Sequence, residues 1–85
     1  MAKIEIYTTD FCPYCSRAKA LLEKKGVTYQ EFGAPHGSDA RRRAIANSGG
    51  RTTVPQIFIN GKSIGGSDDL VALERAGKLD ALLAG

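Results

Sequence analysis

Positions 3–8, Lys-Ile-Glu-Ile-Tyr-Thr, alternate between polar and apolar and are rich in β-branched residues. Successive side chains of a strand point to opposite faces, so this pattern predicts a strand with one face buried. The period then changes. Behind Pro13, residues Ala18, Leu21 and Leu22 recur at i, i+3 and i+4, which predicts a helix with Pro13 at its first position. Lys24 and Lys25 fall in its last turn and Gly26 follows, the signature of a helix end. A second strand is expected over 27–32. The cluster Gly33-Ala34-Pro35-His36-Gly37 reads as a turn.

Ser38 is suited to cap a helix of about ten residues, with Ala40, Ala44 and Ile45 turned inward and Gly49-Gly50 at its end. Gln56-Ile57-Phe58-Ile59 reads as a strand, and Asn60-Gly61 is a strong hairpin signal that folds 62–64 back antiparallel. Gly65-Gly66 breaks the chain again. Ser67-Asp68-Asp69 then opens a last helix carrying Leu70 and Leu73, with Ser67 as its N-cap. Ala76-Gly77 is expected to interrupt that helix before Leu79, Leu82 and Leu83. The order is β-α-β-α-β-β-α. A βαβ unit gives two parallel strands and the hairpin adds two more. The predicted class is therefore α/β, a four-stranded mixed sheet with helices on both faces.

Eighty-five residues, 42% of them hydrophobic, predict one domain over 1–85. No apolar run approaches the ~18 residues of a membrane span, and the first residues lack the apolar centre of a secretion signal. The expected compartment is the cytoplasm, with no membrane partner. A net charge of +3 is concentrated at Arg41-Arg42-Arg43, with no aromatic residue inside the cluster. A solvated helix face is expected there rather than a nucleic-acid contact, although the charge suits anionic ligands.

The chain has two cysteines, both in Cys12-Pro13-Tyr14-Cys15. In a reducing compartment a permanent disulfide is not expected, and one closing so small a loop would constrain the unfolded chain little. Zinc needs four ligands, and the remaining candidate, His36, has no ligating partner near it in sequence; it is expected on the surface, and no metal site is expected. A redox role fits the placement better. With Pro13 at the first helical position, Cys12 falls at the N-cap, where free N–H groups and the helix dipole favour a thiolate. Cys15 lies about one turn on, at a Cα separation of roughly 5 Å, within the range a disulfide tolerates. Cys12 is the expected exposed attacker. Cys15, deeper in the helix, is the expected protonated partner.

Three motifs in order, Cys12-Pro13-Tyr14-Cys15, Thr53-Val54-Pro55 and Gly65-Gly66-Ser67-Asp68-Asp69, resemble the signatures of dithiol glutaredoxins, and the likeness runs from position 3 to about 83. The resemblance implies a thioredoxin fold and a thiol–disulfide oxidoreductase with glutathione as co-substrate and no tightly bound cofactor. It implies Cys12 as nucleophile and Cys15 as resolving thiol. It places Tyr14 against glutathione, along with Thr53, and pairs the Val54 backbone with its cysteinyl part, next to a cis Pro55. It assigns the γ-glutamyl end to Gly66 and to Asp68 or, preferentially, Asp69, at a helix start. Thr9 stands where many relatives carry a lysine for the glycyl carboxylate, so Arg51 or an arginine of the 41–43 cluster is the expected substitute. Asp10, beside the site, would oppose a thiolate if it pointed inward. Glutathionylated or disulfide-bonded proteins, with ribonucleotide reductase among the candidates, are the implied partners of a monomer. Two other readings share these residues. One is a dimeric iron–sulfur carrier using glutathione thiols as ligands, against which Pro13 argues. The other is a redoxin recharged by thioredoxin reductase, whose relatives usually lack a Gly65–Asp69 type of site.

Overall fold

The computed structural model describes residues 2–85. In chain order the elements are β1 (Ile4–Thr8), α1 (Pro13–Lys24), β2 (Gln30–Gly33), α2 (Asp39–Asn47), β3 (Gln56–Ile59), β4 (Lys62–Gly65), α3 (Ser67–Arg75) and α4 (Leu79–Ala84). The sheet runs β2-β1-β3-β4, with β1 parallel to β2 and antiparallel to β3, and β3 antiparallel to β4. This is the expected mixed sheet. The interruption at Ala76-Gly77 divides the last helix in two, as the sequence indicated.

Side-chain alternation along β1 and β3 sorts the core into two layers. On one face Ile4, Ile6, Ile57 and Ile59 meet Ala18 and Leu22 of α1, Leu70 of α3, and Leu79 and Leu83 of α4. On the other, Tyr7 and Phe58 pack with Ala34 and with Ala44 of α2. Tyr7 stacks on Phe32 at 5.0 Å and meets Phe58 edge-on at 5.6 Å. Both central strands are thus buried on two sides and hold the ends of the connecting loops in fixed places.

Three expectations need correction. The second strand begins at Gln30 rather than at 27. The Gly26 N–H bonds to Glu23 O at 3.0 Å and the Val27 N–H to Leu22 O at 3.4 Å, with Gly26 at φ +73°. Val27 is therefore part of the closing motif of α1 and is unavailable to the sheet. Second, the N-cap of α3 is Gly66, not Ser67. Ser67 is already helical, and among the described residues its buried hydroxyl has no partner. Third, the arginine cluster is not uniformly solvated. Arg41 is 6% exposed and donates to Ala34 O and Thr52 O, both at 2.8 Å. It shares a helix face with Ala44 and Ile45, so the helical period itself places it inward.

Candidate active site

Pro13, which needs no N–H partner, starts α1 directly after the turn from β1. Cys12 is the N-cap, extended at φ −111°, as a residue before proline must be. Its Sγ accepts the Cys15 N–H at 3.2 Å. One of the free donors of the first turn is thereby aimed at sulfur. Cys12 is partly exposed and Cys15 buried, and both are free thiols. Burial, and then the hydrogen bond to Cys12, push the Cys15 thiol up to about 11. The difference in exposure read from the spacing is thus present, with Cys12 the more open thiol and Cys15 the shielded one.

Two open grooves flank this turn. The first, about 330 Å³, is bordered by Tyr14, Arg51, Thr53, Val54, Pro55 and the start of α3 from Gly66 to Asp69. Three motifs far apart in sequence meet there. The 51–55 segment is fastened from behind. Arg41 binds Thr52 O, Gln56 Nε2 donates to Arg51 O at 2.6 Å and the Arg51 N–H to Ser48 Oγ at 3.1 Å. Val54–Pro55 is cis, as the resemblance implied, and Val54 makes no backbone hydrogen bond to the other described residues. Tyr14 is about half exposed, with Arg17 over its ring at 5.6 Å.

At the far wall, the Asp69 carboxylate accepts the Gly66 N–H at 2.9 Å and Arg51 Nη2 at 3.1 Å. Asp68 is exposed and pairs with no cation among the described residues. The Gly66 N–H, and then Arg51, hold the Asp69 carboxyl below the usual carboxylate range. A depressed carboxylate stabilises the fold above its unfolded pKa, and this contribution is lost as pH falls through the folded value. Asp69→Asn should therefore lower the denaturant midpoint at pH 7 and flatten its decline below about pH 4. A wild-type midpoint that declines no more steeply than the variant's would exclude this contribution.

The second groove, about 370 Å³, is bordered by Thr9, Asp10, Phe11, both cysteines and the Lys19–Glu31 pair. Lys19 Nζ lies 3.0 Å from Glu31 Oε2, which also accepts from Thr8 Oγ1 at 2.7 Å. Thr9 and Asp10 thus border the cysteines on this side, while Arg51 borders the opposite groove. Within the 41–43 cluster, Arg41 is committed to the backbone, and Arg42 to Gly37 O and Asp39. Lys19, one turn beyond Cys15 on the same helix face, is a site neighbour that no motif marks; Arg41, expected on a solvated face, and Gln56 carry their charge or amide into the interior. His36 is exposed. Among the described residues no group of three or more His, Cys, Asp or Glu is placed to hold a metal.

The glutaredoxin family model matches residues 4–64. The chain is 57% identical over 83 residues to glutaredoxin 3 of Escherichia coli K12, covering 98% of this chain and 99% of that one. It is 57% identical over 84 residues to a glutaredoxin of Pseudomonas aeruginosa, covering 99% of each. In structure it is similar to buckwheat glutaredoxin in its glutathione complex, with a TM-score of 0.85, 34% identity and coverage of 98% of this chain and 77% of that one. It is similar also to the glutaredoxin of Brucella melitensis, with a TM-score of 0.83, 51% identity and coverage of 98% and 89%. With the sheet order and the cysteine turn already described, these likenesses establish that the chain has a thioredoxin fold and belongs to the glutaredoxin family of thiol–disulfide oxidoreductases.

Proposed function

We propose that the protein reduces protein–glutathione mixed disulfides and protein disulfides at the expense of glutathione. The observation that carries this reading is the first groove, where residues of all three motifs converge beside the cysteine turn. Glutathione offers two carboxylates, an ammonium and a central cysteinyl unit. The unpaired Val54 backbone suits the cysteinyl unit as an added strand. The N-terminus of α3 at Gly66 suits the γ-glutamyl carboxylate, and Asp69 and Asp68 suit its ammonium. Tyr14 and Thr53 form the side walls. Arg51, held against Asp69 at 3.1 Å, belongs to this γ-glutamyl wall and does not replace the lysine missing at Thr9.

In the one-cysteine route the Cys12 thiolate attacks the glutathionyl sulfur of a mixed disulfide, and the protein leaves as its thiolate. A second glutathione thiolate then attacks the same sulfur, releasing Cys12 and forming glutathione disulfide. In the two-cysteine route Cys12 opens a protein disulfide and Cys15 displaces the reduced protein. The resulting Cys12–Cys15 disulfide is reduced by two glutathiones. Both are thiolate exchanges with balanced electrons, so no tightly bound cofactor is required, and the protein acts as a cytoplasmic monomer.

The test is turnover of glutathionylated serum albumin with glutathione, glutathione reductase and NADPH, beside a parallel assay with thioredoxin reductase. Turnover that saturates with glutathione and is absent with thioredoxin reductase is expected. Turnover only with thioredoxin reductase would overturn the proposal.

A further inference from the structure

Two large apolar side chains are notably exposed among the described residues, and both flank the cysteine turn. Tyr14 belongs to the first groove and is braced by Arg17. Phe11 borders the second groove, and at 102% relative exposure its ring rests on nothing. It also has a left-handed backbone, with φ +56°. The other non-glycine residue in that region, Asn60, occupies a hairpin turn where asparagine is favoured. A phenylalanine has no such preference, and a bulky residue held there is strained. The fold thus places an aromatic ring in water, at a conformational cost, next to the nucleophile.

The neighbouring chemistry determines what can cover this ring. Any disulfide attacked by Cys12 must bring a sulfur to Cys12 Sγ, and a polypeptide carrying that sulfur must extend over the adjoining surface. On the Phe11 side the Lys19–Glu31 charges are already matched to each other at 3.0 Å. What remains open to a partner is the ring, with the exposed Asp10 carboxylate beside it. We propose that Phe11 is a docking residue for polypeptide substrates, taking an apolar side chain beside the attacked cysteine, and so favours protein disulfides over small ones. This rests on the reading of Cys12 as a disulfide-attacking thiolate, but not on glutathione dependence.

The experiment is single-turnover oxidation of the reduced protein without glutathione, using insulin and bis(2-hydroxyethyl) disulfide as the two oxidants. Phe11→Asn removes the ring while tolerating the left-handed backbone, and Phe11→Tyr restores the ring. Loss of an exposed anchor should slow the reaction of Phe11→Asn with insulin about tenfold. The rate with the small disulfide should stay within about twofold, and Phe11→Tyr should match wild type on both. An equal slowing on both oxidants would assign Phe11 to the geometry of Cys12 instead and overturn the proposal. So would an unchanged insulin rate, or a wild type that reacts with the small disulfide but not with insulin. Because glutathione is absent, failure of glutathione coupling in the preceding assay leaves this result standing by itself.

Discussion

A Cys12→Ser variant is expected to lose more than about 10³-fold of its mixed-disulfide reductase activity, the scale of loss when a nucleophile is removed. Cys15→Ser should keep most of the activity on glutathionylated albumin and lose the glutathione-coupled reduction of insulin. The asymmetry follows from position. Cys12 stands partly exposed at the N-cap and accepts the Cys15 N–H at 3.2 Å. Cys15 lies inside the helix, its thiol pushed up to about 11. At pH 7 a thiol with that pKa is ionised in only about one molecule in 10⁴, so at rest it does not compete for substrate. Once Cys12 is tied up in a mixed disulfide, one cause of the elevation, its hydrogen bond to Cys15, is removed and burial remains. The rate of the resolving step, followed by stopped-flow release of reduced insulin, should therefore climb steadily from neutral to alkaline pH. An active Cys12→Ser protein, or a resolving rate flat with pH, would contradict the assignment of the two thiols.

The second large effect is expected at Gly65, at the end of β4. Its φ of +113° is a conformation that side-chain-bearing residues rarely adopt. A methyl group there would stand 2.6 Å from the Asp69 carboxylate carbon and 2.8 Å from Arg51 Nη1. Those side chains could swing aside, but Asp69 would then release the Gly66 N–H at the start of α3. Backbone strain and the lost cap together are expected to cost about 2–4 kcal/mol. In a chain of this size that is a fall in Tm of roughly 10–20 °C. Gly65→Ala should also raise the KM for glutathione, because the displaced groups border the proposed binding groove. Gly61→Ala, which meets nothing within 4 Å but shares a positive φ, is the control for strain alone. An equal KM for the two variants would separate Gly65 from the groove.

The elements themselves were legible in the sequence because their signals are local. The alternation over 3–8, the periodic Ala18, Leu21 and Leu22, the Asn60-Gly61 turn and the glycines that end each helix operate within a few residues. The N-cap position of Cys12 was legible for the same reason, since Pro13 fixes where the helix starts. Errors arose where a residue's backbone was claimed by a neighbour. Val27 could have extended a strand, but its N–H closes α1. Ser67 could have capped α3, but Asp69 reaches back to Gly66 and moves the start by one residue.

What the sequence by itself determined was the order of elements and the placing of Cys12 at a helix N-cap with a second cysteine one turn away. Only the tertiary structure decided that Thr53-Val54-Pro55 and the Gly66 start of α3 share one groove beside Tyr14. The same is true of Arg41, which turns inward to hold Thr52, and of Phe11, which is left wholly in water. The physical reason is reach. Helix and turn signals are settled by bonds spanning three to five residues, as in Cys15 to Cys12 or Val27 to Leu22. The groove is set by the β2-β1-β3-β4 order, which brings together loops separated by tens of residues. That order is selected by burying β1 and β3 on both faces at once, a property of the assembled core rather than of any one segment.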